Sequence, residues 1–461
     1  MTGDASIGIV GLGVMGRNLA LNIADRSFAV AAYDSDPGQR ARAAADGGYA
    51  VVTDLPALVR ALAAPRAVLL MVPAGAPVDA ALDALRPLVA RGDVVVDGGN
   101  SNFADTIRRA KALAADGIGY LGLGVSGGEE GARHGPALMA GGDTAAWERV
   151  GPIFTAIAAR AAGVPCCDRV GADGAGHFVK MAHNGIEYAQ MQLIAEAYLV
   201  LRHRLGMSLG AIADAVEGWN RGAGAAYLLQ ITADILRTPD RDGGGALLDR
   251  VADRTGHKGT GVWTVETALA LGVPVPTIAS AVWARALSAT RDAAHAAPSW
   301  TGAASATVTV DAVGWALSAA SMVAYAEGFD LIAAGAERHG WSTDRARVAE
   351  LWREGCIVRA AALDRIAAAF RAEPGEHSLL DRTAIGAGLA DALPVWRALL
   401  ADGIAAGIPM PAFGAALAHA TARTAPEVGA RLLAAQRDCF GAHGFHRVDR
   451  EGSHHATWTG T

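Results

Sequence analysis

An α/β fold followed by a large all-helical region is what this 461-residue sequence predicts, and three observations carry the prediction. A short apolar strand, residues 6–10, runs into Gly11-Leu-Gly-Val-Met-Gly16 and then into a helical stretch, Arg17 to Ile23. From there to about residue 175, strand and helix patterns alternate. Beyond about residue 177 the strand signals vanish and Ala-rich helical patterns take over. The expected architecture is a Rossmann-type, doubly wound parallel sheet over residues 1–175, an all-α region over 176–435, and a C-terminal tail over 436–461.

The glycine turn is the first element with a function. Strand, G-x-G-x-x-G and helix in that order set free N–H groups and the positive end of a helix dipole against a pyrophosphate, and glycine lets the backbone approach it closely. The second strand, Phe28 to Tyr33, ends at Asp34, near the offset of about 20 residues at which a carboxylate accepts a bond from a ribose hydroxyl. Capping the helix ahead of Asp36-Pro37 is the competing role for Asp34. Further strands are expected at Ala67 to Val72, Val94 to Asp97 and Ile118 to Leu123. Two glycine-rich loops, Asp97-Gly-Gly-Asn-Ser101 and Val125-Ser-Gly-Gly-Glu129, follow strands at their carboxyl ends, where such sheets bind ligands. Their backbone N–H groups can cradle a carboxylate or phosphate, or form ordinary turns.

The run from Gly176 to Tyr188 carries the candidate chemistry. Read as a helix, it places Lys180, His183, Asn184 and Glu187 on one stripe. The seven steps from Lys180 to Glu187 return to nearly the same bearing, about 10 Å further along the axis. Apolar neighbours (Phe178, Val179, Met181, Ala182, Ile186) make the helix largely buried, and a buried polar stripe needs partners or a ligand. Downstream helices are expected at Ala211 to Trp219, Ile278 to Ser288, Ala316 to Glu337 and Arg345 to Phe370. An internal echo runs through them. Ala195-Glu-Ala-Tyr198, Leu205-Gly-Met-Ser208 and Glu217-Gly-Trp219 recur in order as Ala326-Glu-Gly-Phe329, His339-Gly-Trp-Ser342 and Glu350-Leu-Trp352, as a duplicated helical unit would.

Composition narrows the function classes. A net charge of −6 argues against nucleic acid or an acidic membrane as the main partner, so an anionic ligand needs a local cluster of cations. Apolar runs such as Ala67 to Val72 are too short to span a bilayer, and no export signal precedes the first strand. Cys166, Cys167, Cys356 and Cys439 form neither a disulfide framework nor a Cys-x-x-Cys zinc pattern, which suits a reducing cytoplasm. In the tail, His443, His446, His454 and His455 raise the question of a metal, but no carboxylate or cysteine stands beside them at ligand spacing, and no metal is expected.

Taken together, Asp97–Ser101, Val125–Glu129, Gly174–Tyr188, His257-Lys-Gly-Thr-Gly261, Gly407-Ile-Pro-Met-Pro411 and Gln436–His443 resemble the long form of the decarboxylating 6-phosphogluconate dehydrogenases over nearly the whole chain. The resemblance implies an NADP- or NAD-dependent enzyme acting on 6-phosphogluconate, and a homodimer whose tails cross into the partner subunit. Lys180 and Glu187 then correspond to the catalytic base and acid. Asn100, Ser126, Gly127, Gly128, His183 and Asn184 would hold the carboxylate and hydroxyls of the substrate. Tyr188, Lys258, Thr260 and Arg285, with Arg437 and His443 from the partner, would bind its phosphate. The cofactor positions implied are Gly11, Gly13, Val14, Met15, Gly16, Tyr33, Asp34, Ser35, Met71, Val72, Pro73 and Asn100.

One departure bears on the cofactor. Most members of the family carry Asn-Arg-Thr after the second strand, where this chain has Asp34-Ser-Asp36, and Pro73 stands where a lysine is common. A carboxylate suits a ribose hydroxyl and repels a 2'-phosphate, so use of NAD is expected, with Arg40 or Arg42 as cations able to rescue phosphate binding. Two other readings remain: a 3-hydroxyacid dehydrogenase of the related class, and a catalytically silent dinucleotide-binding dimer.

Overall fold

The computed structural model describes residues 3–256, 259–291, 306, 308–375 and 378–458. Strands β1 (Ile7–Val10), β2 (Val30–Tyr33), β3 (Ala50–Val51), β4 (Ala67–Leu70), β5 (Val94–Asp97), β6 (Gly119–Ser126) and β7 (Ala137–Gly142) lead to a small ribbon, β8 (Arg160–Ala161) and β9 (Val164–Pro165), and then to β10 (Cys167–Gly171). Eight of them form one sheet in the order β10-β7-β6-β5-β4-β1-β2-β3. From β3 to β6 all neighbours are parallel, with helices on both faces, so these strands are buried on both sides and read as near-continuous apolar runs.

The far edge departs from the expected parallel sheet. β7 runs antiparallel to β6, with Leu121 opposite Gly142 and Ser126 opposite Ala137, and β10 then pairs parallel to β7. Neither strand stands out in the sequence, because β7 is Ala-Leu-Met-Ala-Gly-Gly, with little β-branched character.

That edge receives the helix Ala175–Leu199, buried over most of its girth in its first three turns. The helix lies directly on the strands because glycines face it. A Cβ on Gly124 would come within 2.6 Å of the Lys180 Cβ, and one on Gly176 would collide with the Gly122 carbonyl and the Gly141 amide. Gly176→Ala is therefore expected to lower the stability by about 3 kcal/mol, since both obstacles are strand backbone, which cannot yield as a side chain would. Urea unfolding monitored by circular dichroism measures this; a shift below about 0.5 kcal/mol would contradict the close docking.

The helical region packs around two long helices, Ala175–Leu199 and Val310–His339, which lie along each other. Two shorter ones, Pro276–Thr290 and Pro411–Thr424, pack together and against them. The expected helix from Arg345 to Phe370 is in fact two, Arg345–Leu351 and Ala362–Ala372. Between them Gly355 adopts φ +67°, and its carbonyl accepts the Ala137 amide of β7 at 2.7 Å. Helical composition at 352–361 is overridden by this long-range bond.

Helix Thr383–Ala405 is long and apolar enough by composition alone to cross a membrane, but it packs against helix Val310–His339 and its Asp402 pairs with Arg204 at 2.6 Å. The tail folds as a helix, Ala430–Gly441, and a ribbon of β11 (Phe445–His446) and β12 (Ser453–His454). Buried Asp438 gathers both: it accepts from Gly444 N, Ala456 N and Trp458 Nε1, and lies 2.8 Å from His455 Nδ1.

Candidate active site

A cleft of about 1110 Å³ opens at the carboxyl ends of the central strands. All the cofactor positions named from the sequence line it, from Gly11 to Asn100. Gly11, at φ +99°, faces the Met71 carbonyl, which a Cβ would approach to 2.5 Å, whereas nothing lies within 4 Å of where a Cβ on Gly13 would be. The second glycine thus leaves its backbone open to a ligand, as a pyrophosphate requires.

Asp34 does not cap the helix that follows. Asp36 does, accepting from Gly38 N at 2.7 Å. The Asp34 carboxylate instead accepts Leu12 N at 2.6 Å and Asp36 N at 2.8 Å, which fixes it beside the glycine turn. Arg40 donates from Nη1 to the Asp34 and Ser35 carbonyls at 2.7 and 3.2 Å, so its side chain is engaged with backbone. Arg42 is exposed on the same helix.

Among the described residues none of the stripe Lys180, His183, Asn184 and Glu187 on helix Ala175–Leu199 lines this cleft; Ser126, the residue after the cleft-lining Val125, ties the stripe to the strand end that borders it. His183 is fully buried and central to the stripe. Its Nε2 lies 3.1 Å from Ser126 Oγ, and its Nδ1 lies 3.1 Å from Asn184 Oδ1, 3.4 Å from Lys180 Nζ and 3.9 Å from Glu187 Oε2. The Asn184 oxygen calls for a proton on Nδ1, which leaves Nε2 to accept from the Ser126 hydroxyl. Burial lowers the pKa of Lys180, opposed by the nearby Glu187. Burial raises that of Glu187, opposed by Lys180 and Arg285. Desolvation therefore favours a neutral amine and a protonated carboxyl beside the same nitrogen of one imidazole, which is the pairing a base and an acid need.

Beside Glu187 lies a cationic and aromatic corner. The Arg285 guanidinium sits 3.5 Å from the centre of the Tyr188 ring and makes no ion pair among the described residues. Helix Thr260–Leu271 starts against the same ring: a Cβ on Gly261 would come within 2.6 Å of Tyr188 Cε2, and Thr260 is buried beside it. Gly127 and Gly128 turn with φ +113° and +63° after Ser126.

Asn100 rides on a braced loop. Asp97 accepts from Gly99 N at 3.1 Å, Ser101 Oγ at 2.7 Å and Tyr120 OH at 3.1 Å, with buried Arg109 at 3.5 Å.

Lys258 lies outside the described residues. Arg437 and His443 are exposed on the tail, and no hydrogen bond or ion pair among the described residues joins them to the site. No cluster of three or more His, Cys, Asp or Glu residues suited to a metal occurs among the described residues.

Residues 176–458 match the family model for the 6-phosphogluconate dehydrogenase C-terminal domain, and residues 6–171 match the model for the NAD binding domain of that enzyme. The chain is 45% identical to decarboxylating 6-phosphogluconate dehydrogenase of Treponema pallidum, over 99% of its own length and 97% of the relative's. For the Drosophila melanogaster enzyme the figures are 44%, 100% and 98%. The chain belongs to the decarboxylating 6-phosphogluconate dehydrogenase family. A solved 6-phosphogluconate dehydrogenase, that of Plasmodium falciparum, superposes with a TM-score of 0.92 at 33% identity, covering 98% of this chain and 100% of that one. It is known in its apo form, with its cofactor NADP+ and with its substrate 6-phosphogluconate.

Family membership covers the helical region and tail as well as the dinucleotide domain, which favours this reading over a shorter 3-hydroxyacid dehydrogenase. Two tryptophans beside the site residues are not among the candidates named from the sequence, where Trp352 stands only in the internal echo. Trp263 reaches from the helical region to line the dinucleotide cleft. Trp352 packs edge-on against the His183 ring at 5.4 Å, in the segment expected to be helical.

Proposed function

We propose that this chain oxidises 6-phosphogluconate at C3 and decarboxylates the product to ribulose 5-phosphate and CO2. The observation that carries the reading is the Lys180–His183–Glu187 stripe, tied through Ser126 to the strand end bordering the dinucleotide cleft and ending beside the Arg285–Tyr188 corner. The bound nicotinamide dinucleotide supplies the hydride acceptor. Neutral Lys180 takes the proton of the C3 hydroxyl, and the resulting ammonium polarises the C3 carbonyl as the electron sink for CO2 loss. Lys180 returns its proton to that oxygen as the enediol forms. Glu187 then protonates the carbon that has lost CO2 while neutral Lys180 takes the proton back from the C3 oxygen, which leaves the ketone of ribulose 5-phosphate. Ser126, Gly127 and Gly128 hold the substrate carboxylate, and Asn100, His183 and Asn184 its hydroxyls. Tyr188, Thr260 and Arg285, joined by Lys258, hold the phosphate of a substrate carrying about three negative charges.

The same reading divides the chain at residues 175 and 435 and makes it a cytoplasmic homodimer with the partner's Arg437 and His443 completing the phosphate site. Exposed Leu432, Leu433 and Phe440 on the tail helix, 65%, 61% and 76% accessible, support a partner surface for that helix. The activity is tested by release of CO2 from 6-phosphogluconate in the presence of NAD or NADP; no release with either cofactor would overturn the assignment.

NAD is the cofactor the geometry favours. An Asp34 carboxylate held by two backbone N–H groups accepts a ribose hydroxyl and opposes a 2'-phosphate, and Arg40 is turned to backbone carbonyls. The expected result is kcat/KM with NAD at least equal to that with NADP. Steady-state rates with both cofactors decide it, and a preference for NADP of about 100-fold, some 2.7 kcal/mol, would defeat this role of Asp34.

A further inference from the structure

Two glutamates that the mechanism does not use have no solvent exposure: Glu196 on helix Ala175–Leu199 and Glu327 on helix Val310–His339. Each closes the start of another helix. Glu196 Oε1 and Oε2 accept from Ala412 N and Phe413 N, both at 2.9 Å. Glu327 Oε1 and Oε2 accept from Thr277 N and Ile278 N, both at 3.0 Å. In both cases the seated helix follows a Gly-x-Pro-x-Pro run, Gly272–Pro276 or Gly407–Pro411. The residue before its first proline has almost the same backbone, φ −131° and ψ 53° at Val275, φ −132° and ψ 53° at Met410. The two glutamates are also the echoed ones, Ala195-Glu-Ala-Tyr198 and Ala326-Glu-Gly-Phe329. Each repeat therefore supplies the carboxylate that seats the other repeat's helix, a crossed arrangement that explains why two buried carboxylates persist in an apolar core.

The two seats serve different cargo. Glu327 gathers two further partners, Thr277 Oγ1 at 2.6 Å and His419 Nδ1 at 3.2 Å, and the helix it seats carries Arg285 about two and a half turns from its start. Glu196 adds Gln192 Nε2 at 2.9 Å, and its helix, Pro411–Thr424, carries none of the residues placed in the site. A helix gripped at its first turn by a buried carboxylate is fixed in rotation and height. Rotation of Pro276–Thr290 would lift Arg285 off the Tyr188 ring.

We infer that Glu327 is a positioning residue for phosphate recognition: by seating helix Pro276–Thr290 it aims Arg285, whereas Glu196 makes the same contact with a helix that carries no site residue and reaches Glu327 through His419. The inference rests on the assignment of Arg285 to the substrate phosphate.

The duplication provides its own control. Glu327→Gln keeps the size of the side chain but turns an amide N–H toward helix N–H groups. It is expected to raise KM for 6-phosphogluconate about tenfold with kcat within about threefold, and to weaken competitive inhibition by inorganic phosphate in parallel. Glu196→Gln is expected to lower the urea midpoint comparably while leaving KM and phosphate inhibition within about twofold. Thr277→Val removes one donor to Glu327 and is expected to shift KM in the same direction by about threefold, which keeps the test open if Glu327→Gln does not fold. Arg285→Ala is measured alongside. If it raises KM while Glu327→Gln and Thr277→Val change KM no more than Glu196→Gln does, the positioning role is wrong and the phosphate assignment stands. If Arg285→Ala leaves KM and phosphate inhibition unchanged, the phosphate assignment fails and the positioning role with it.

Discussion

Lys180→Met is expected to lower kcat for 6-phosphogluconate by about 10³-fold or more, with a much smaller change in KM. Methionine fills the same channel against β6 but has no nitrogen to take the C3 proton and no charge to draw electrons from the departing carboxylate. The base works only as a neutral amine. Burial lowers the Lys180 pKa, so the neutral fraction grows as pH rises through a value below the usual lysine range, and kcat/KM rises with it. Glu187, Cys356 and the arriving anionic substrate oppose that shift. Production of reduced cofactor followed by absorbance measures both effects; full activity in Lys180→Met, or a limb at the pH of an ordinary lysine, would remove this residue from the role of base.

Glu187→Ala is expected to lower kcat by about 10²-fold, and the loss falls on a different step. Hydride transfer in the first turnover should persist, because Lys180 is intact, while formation of ribulose 5-phosphate slows. The acid works protonated. Burial raises the Glu187 pKa, so the protonated form extends to higher pH than for a free carboxyl and is lost as pH rises through the raised value. The descending limb of the wild-type kcat profile should vanish in the variant. Pre-steady-state comparison of reduced cofactor and released CO2 with the ribulose 5-phosphate formed separates the steps; slowing of reduced cofactor from the first turnover as much as of ribulose 5-phosphate would place Glu187 in the oxidation rather than after it.

Between these two groups, His183 does what the sequence pattern alone does not reveal. Spacing places Lys180, His183, Asn184 and Glu187 on one stripe, but the same spacing describes a solvated polar face. It is the contact of Ser126 with Nε2, across 57 positions, that turns the imidazole edge toward both reacting groups. Trp352 and Gly355 complete that wall from a segment whose composition reads as helix. Composition there is a weak prior, and one bond from Ala137 to the Gly355 carbonyl outweighs it.

By itself the sequence determined what depends on neighbours a few residues apart. The glycine turn between β1 and its helix, the apolar strands of the central sheet, the buried helix with its amine and carboxyl two turns apart, and the change to helices after residue 177 all follow from short-range periodicity and from glycine's freedom at φ +99°. Only the tertiary structure decided that β7 reverses direction, that Asp36 rather than Asp34 caps its helix, that Arg40 turns to backbone carbonyls, and that Glu196 and Glu327 cross between repeats. Strand direction and cap choice depend on which of several competent partners is nearest once the chain is packed. The Glu196 contacts join residues 216 and 217 positions apart, and a bond over that span leaves no periodic trace along the chain.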